Sequence, residues 1–237
     1  MECYICKKQI SGGYYSDDFD RKICRAHLNN DAVICSSCGG IAKKEHPLPD
    51  GRYLCDSCNG MAIKAGDNIE QIRTNVVNSL NRVGFGDLRM EDITVEIVSA
   101  QKISEISKTP LNTNNKGFVS STVTTGASGN RIFKHSIYML THQNRIELSA
   151  ALAHEMLHAW QIQNGVAMSQ KKTEGFCNLG AALMWNNQSC TLSKIYWKNL
   201  YQSPDPIYGD GLREMYALHQ KLGWKELIAN VKNKKIS

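Results

Sequence analysis

Past Cys58 the chain settles into regular apolar periods. Ile69, Ile72, Val76, Leu80 and Val83 recur at three- or four-residue spacing and predict one amphipathic helix. Asp67 with Glu70 supplies a capping box at its start, and Gly84 ends it. Ile93, Val95 and Ile97 then alternate with polar neighbours, the period of a strand. A second strand is expected near 118–124 and a third near Arg131–Leu140, after the Ser128-Gly129-Asn130 turn. From about Arg145 the period returns to that of a helix, over 146–164. There Leu148, Ala151, Leu152, Met156, Ala159 and Ile162 predict burial, Asn144 and Glu147 the cap, and Gly165 the terminating residue. The pattern predicts an α+β fold, with a short antiparallel sheet plus helices.

Before that, chemistry-bearing residues set the order. Seven of the nine cysteines lie in the first 58 residues, and with one histidine they make four pairs. These are Cys3-x-x-Cys6, Cys24-x-x-His27, Cys35-x-x-Cys38 and Cys55-x-x-Cys58. Two intervening residues let both side chains of a pair reach one tetrahedral ion from a tight turn. Four such pairs predict two structural zincs rather than disulfides. Sequential pairing puts Cys3, Cys6, Cys24 and His27 on one ion and Cys35, Cys38, Cys55 and Cys58 on the other. A cross-brace is the alternative. Gly12-Gly13-Tyr14-Tyr15 and Asp50-Gly51-Arg52-Tyr53 would supply turns and strands. The module, residues 1–62, resembles a LIM domain. It departs from that pattern in the order Cys24-then-His27 and in the seven residues between His27 and Cys35. Closed four-ligand sites serve folding, so the module is expected to bind a protein partner or pack on the rest of the chain.

Charge narrows the partners. The formal +6 falls entirely outside residues 1–62, which hold eight basic and eight acidic residues. A neutral zinc module argues against nucleic-acid binding. Lys232, Lys234 and Lys235 read as a solvated, frayed end. No run of eighteen apolar residues predicts a membrane span. Met1-Glu2-Cys3-Tyr4 has no basic-then-apolar signal, and with so many metal-type thiols this points to the cytoplasm. Cys177 and Cys190 read as ordinary thiols.

The helix over 146–164 carries His154-Glu155-Met156-Leu157-His158. Two histidines four apart project from one helical face and can share an ion. Glu155, to the side, can hold a water without ligating. A lone histidine here would read as a core residue satisfied by hydrogen bonds, but the full set on a buried, capped helix predicts zinc. A third protein ligand is needed. The metzincin continuation fails, because Gln161 and Asn164 stand where glycine and histidine are required. Glu174, sixteen residues past His158, opens a second helix that a turn over 164–169 would bring back antiparallel. This is similar to the gluzincin arrangement. Asn178, one turn on, is placed to accept a ring N–H from a zinc histidine.

These residues resemble a known family. Leu152-Ala153-His154-Glu155-Met156-Leu157-His158-Ala159-Trp160, Glu174-Gly175-Phe176-Cys177 and Pro206-Ile207-Tyr208-Gly209-Asp210-Gly211, behind a LIM-type module, are similar to motifs of the plant organ-size regulators called the DA-one family. The resemblance implies a zinc metallopeptidase domain over 63–237, acting on protein or peptide substrates, with one catalytic and two structural zincs. The family's plant members are intracellular and switched by ubiquitin. This chain opens at Cys3 without their ubiquitin-interacting helices, which argues against ubiquitin dependence and points to a compact, microbial form. Glu155 is the expected general base. Tyr208 is the first candidate to stabilise the oxyanion, ahead of His219 and His142. The strand near Ile132 to Leu140 is the expected edge for aligning substrate. The rival reading is a non-catalytic zinc-binding adaptor.

Overall fold

A computed structural model describes residues 1–236. Near the N-terminus, β1 (Tyr14–Ser16) pairs antiparallel with β2 (Lys22–Cys24), and β3 (Ala32–Ile34) with β4 (Ile41–Lys43). The short helix α1 (Asp56–Gly60) carries Cys58. Besides cysteines, only Ile23, Ala32 and Ala42 are buried in the two small clusters here. So little apolar surface cannot hold sixty residues without cross-links, and all nine cysteines are free thiols. The expected strand at Asp50–Tyr53 does not form. Arg52 turns inward instead, pairing with Asp50 at 2.9 Å and donating to the Thr141 carbonyl at 2.8 Å.

The helix α2 (Glu70–Val83) buries Ile72, Val76 and Leu80 and stops at Gly84, whose φ of 122° suits glycine. Its cap differs from the expected box. Asp67 accepts from the Lys64 N–H, and it is Asn68 that accepts from the Glu70 N–H.

Three strands, β5 (Ile93–Val98), β6 (Gly117–Thr125) and β7 (Arg131–Leu140), form one sheet in the order β5-β7-β6. β6 and β7 make an antiparallel hairpin, but β5 runs parallel to β7, so the sheet is mixed rather than antiparallel. Between β5 and β6 lies α3 (Ala100–Ser107), capped by Ser99, which packs on one face through Ala100 and Ile103. The other face of β7 contributes Ile137 and Met139 to the main core beneath α4 (Arg145–Gln163). β7 is therefore central and paired on both sides; it cannot offer the open edge expected of it. That edge belongs to β6. The Leu140 N–H donates to the Lys116 carbonyl. Antiparallel alternation then turns the backbone groups of Gly117, Val119, Ser121 and Val123 outward.

Three more helices complete the fold: α5 (Gln170–Asn186), α6 (Thr191–Tyr201) and α7 (Tyr208–Lys232), which breaks at Gly223. Trp160 and Phe176 pack against Phe85 with ring centroids 5.0 and 6.0 Å away. The end of α7 is tied down, because Lys232 pairs with Asp87 at 2.5 Å. Lys232 is thus not part of a frayed tail. Among the described residues no helix is long and apolar enough to cross a membrane.

The second cysteine knuckle sits on the N-terminus of α4. Ser37, between Cys35 and Cys38, donates to Glu147 at 2.8 Å and accepts from Asn144 Nδ2 at 2.8 Å. The same Asn144 caps α4 with its Oδ1 and reaches the Tyr196 hydroxyl at 2.7 Å. Lys116 bridges Glu147, at 3.0 Å, and the Ser36 carbonyl, at 3.2 Å. Glu147 thus completes no capping box; its carboxylate serves this junction.

Candidate metal centres

The eight N-terminal ligand-type residues gather as two tetrads: Cys3, Cys6, Cys24 and His27, then Cys35, Cys38, Cys55 and Cys58. Within each, the donor atoms all lie within 4.8 Å of one another. The grouping is sequential, as the spacing suggested. Backbone N–H groups point at the sulfurs, from Cys24 to Cys3 Sγ at 3.4 Å and from Cys55 to Cys35 Sγ at 3.3 Å. Burial pushes the Cys3 thiol up, yet such N–H donors outweigh it and bring it down to about 6. The hydrogen bond with Cys38 leads in bringing Cys35 to about 6. Their partners are pushed up, Cys24 by desolvation and then by its neighbouring thiols, Cys38 and Cys58 by theirs, so each tetrad shares its protons and could release them to a metal. Asp31 holds His27 Nδ1 at 2.8 Å, which leaves Nε2 free to ligate.

The third centre is built from α4 and α5. One turn of α4 brings His154 Nε2 and His158 Nε2 to 3.1 Å. α5 returns antiparallel and sets Glu174 Oε2 at 3.2 Å from the first and 3.4 Å from the second. Ligands about 2.0–2.1 Å from a zinc ion stand roughly 3.3–3.4 Å apart around a tetrahedron. The triangle fits that face. Glu174 Oε2 is moreover buried with no hydrogen bond of its own, a lone pair aimed between two imidazoles. A second donor, the Cys177 thiol, also lies within 4.8 Å of the histidine nitrogens. Glu174 is the better third corner, because its oxygen is at ligand-edge distance from both rings. Other nearby acids are committed: Asp205 caps α7, Asp210 pairs with Arg213, and Glu214 with Lys171.

Asn178 does what its position suggested. Its Nδ2 donates to the Tyr208 carbonyl at 3.2 Å, so its Oδ1, 2.9 Å from His154 Nδ1, is the acceptor. His154 then carries its proton on Nδ1 and presents a free Nε2 lone pair to the corner it shares with His158 and Glu174.

Glu155 lies beside the triangle, only 7% exposed. β6 comes this close because residue 117 is glycine: a Cβ there would stand 2.9 Å from Glu155 Cγ. Burial pushes the Glu155 carboxyl up, while the two histidines and the Val119 N–H pull it back. Glu174 goes the other way. Burial raises it too, but contacts with His154 and His158 outweigh that and hold it at about 2. Tyr208, at the head of α7 and not in a loop, feels both carboxylates; burial first, then Glu174 and Glu155, raise its phenol. The two other oxyanion candidates lie elsewhere. His142 is influenced by Arg52, Lys64 and Asp50, and His219 stacks on Trp224 at 4.6 Å.

Residues 87–194 match the family model described as DA1-like: Protein DA1. Two curated relatives come from Arabidopsis thaliana. Protein DA1-related 6 is 22% identical over 218 residues, covering 79% of this chain and 34% of that protein. Protein DA1-related 7 is 22% identical over 228 residues, covering 81% and 40%. The chain thus spans only 34 to 40% of the length of these relatives. No solved structure matches it. The matched segment holds His154, Glu155, His158 and Glu174, whereas the cysteine tetrads and Tyr208 fall outside it. Over that segment the chain is similar to the DA1-like family.

Proposed function

We propose that the chain is a zinc-dependent peptidase, with a gluzincin-like centre of His154, His158 and Glu174 behind a LIM-like module of two structural zincs. The convergence of two Nε2 atoms and one orphaned carboxylate oxygen at 3.1–3.4 Å carries this reading, together with a second carboxylate alongside that does not join them. Three protein ligands leave a coordination position open, the mark of a catalytic rather than a structural site.

A zinc ion held by His154, His158 and Glu174 would supply a Lewis acid for a peptide carbonyl and an attacking water. Glu155, beside that corner, would accept a proton from the attacking water and return it to the leaving amine. Its burial raises its basicity, which suits a group that must carry a proton near neutral pH. The Tyr208 hydroxyl donates to the oxygen on which negative charge develops. An extended protein or peptide segment pairs with the outward backbone groups of Gly117 and Ser121 on β6, on either side of the Val119 N–H that Glu155 holds.

The module's tetrads are closed, thiolate-rich sites that fold the first sixty residues. They suit a reducing cytoplasm. Exposed Ile34 and Tyr14 offer a face for a protein partner.

The decisive experiment is metal content and cleavage in wild type and Glu155→Gln. Three zincs are expected in both. Cleavage of a degenerate peptide library is expected in wild type, falling by about 10²–10⁴-fold or more in the variant. Loss of a zinc in Glu155→Gln, or undiminished turnover, would sink the assignment.

A further inference from the structure

Resting on the zinc reading above, we propose that Cys177 is the positioning partner of His158, holding that ring in the metal corner as Asn178 holds His154.

Glu174, Cys177 and Asn178 stand at i, i+3 and i+4 of α5 and so share one face, turned to His154 and His158 of α4. Each histidine spends Nε2 on the corner with Glu174. Each therefore has Nδ1 left for an orienting partner. For His154 that partner is Asn178 Oδ1, at 2.9 Å. For His158 the side chain placed to serve is Cys177, whose Sγ lies within 4.8 Å of a ring nitrogen of each histidine.

The thiol is built to accept. Cys177 is fully buried, so water cannot compete for it. Its S–H is directed at Gln161 Oε1, 3.6 Å away, which leaves the sulfur lone pairs for the imidazole N–H. Gln161 lies three residues past His158 on α4 and is itself 4% exposed, so the chain from His158 through Cys177 to Gln161 is enclosed. Charge explains why a thiol serves here. Metal histidines commonly lean on a carboxylate. A third one beside Glu155 and Glu174 would add buried negative charge at a site of only one ion. A neutral sulfur orients the ring without that cost. Ligation by Cys177 itself would take the fourth position left open by His154, His158 and Glu174, the outcome that cobalt spectra distinguish.

The test compares Cys177→Ser, Cys177→Ala and Cys177→Val in the full chain. Affinity for the most labile zinc is measured by competition with a chromogenic chelator, alongside total zinc and melting temperature. Serine keeps an acceptor and should stay close to wild type. Alanine and valine should weaken that one zinc by about 10–100-fold, the usual loss for such a partner. The two tightly held zincs should remain. Valine restores volume without an acceptor, so a valine variant that binds like wild type would reduce the role to packing and overturn the proposal. Reloading the labile site with Co(II) gives a second check. A sulfur-to-cobalt charge-transfer band present in wild type and absent from Cys177→Ala would make Cys177 a ligand, overturning it differently. A wild-type chain with no labile third zinc would overturn the zinc reading and this assignment with it. Three zincs with all variants bound equally would overturn only the assignment of Cys177.

Discussion

Glu155 and Glu174 face the same two histidines and are driven in opposite directions. The oxygen of Glu174 touches both rings, and that contact overcomes its burial and keeps it ionised to about pH 2. Glu155 meets Gly117 and one backbone N–H, too little to offset its burial, so its carboxyl is raised. Under the proposed reading, two carboxylates pushed apart in this way would divide into an anionic ligand and a proton carrier. Glu174→Ala should therefore lose the labile zinc while keeping both tetrad zincs. Retention of three zincs after mild chelation would move the third ligand to Cys177, the other donor within reach. That these two carboxylates lie by the histidines was legible from the His154–His158 spacing and the distance to Glu174. The brace of His154 by Asn178 was legible only as a possibility of position, and the nearness of Cys177 was not, because a buried cysteine in an apolar run has no signature of its own.

At the scale of elements, the centre depends on how closely α5 meets α7 and how α4 is started. A Cβ on Gly175 would stand 2.2 Å from the Gly211 carbonyl oxygen, so the two backbones touch next to Glu174 and Tyr208. Gly175→Ala must push α7 away. It should cost about 1–3 kcal/mol in urea unfolding and reduce cleavage more than zinc binding, since Tyr208 moves with α7. Equal stability would show that the contact relaxes freely. Asn144 caps α4 and also joins Ser37 and Tyr196. Asn144→Ala should cost about 2 kcal/mol, the upper end for a cap, because buried hydrogen-bond partners are orphaned as well. A loss of only a few tenths would mean that water replaces them. The periods of α2 and β5 were readable because each buries one face, and α4 was readable from its cap and length, since it is buried on most sides. α7 was not: Gly209, Gly211 and Gly223 have low helix propensity, and two of them are there for close packing, a tertiary reason that outweighs it.

Across the whole molecule, the residues expected to divide at 62/63 are joined by a polar seam. Ser37, Arg52 and the Ser36 carbonyl meet Glu147, Thr141 and Lys116 across it. The second tetrad thus stands at the head of the α4 helix that carries His154 and His158. The three metal groups differ in ligand chemistry, and this predicts an order of loss. The open site, with no thiolate ligand, should give up zinc first to a chelator and regain it on adding zinc. The tetrads should follow only with unfolding of the module. Cleavage and circular dichroism, recorded against chelator concentration, check this. Simultaneous loss of both signals would mean that the seam makes the metals one cooperative unit.

The sequence by itself determined which residues could hold metal and which helix carries the two histidines of the third group. Ligand spacing within a turn and side-chain period along a helix are local properties, set by a few bonds. It could equally place the cap residue Asn144, since a cap acts on the next three residues. Only the tertiary structure decided what depends on distant segments meeting. It made β7 central and β6 the open edge, because strand order follows from how α3 and α4 cover the two faces. It brought Glu174 into the corner of the histidines, seated Ser37 on Glu147, and set Cys177 beside His158. Each of these contacts is fixed by burial between elements far apart in the chain, and no period along the chain records which faces will meet.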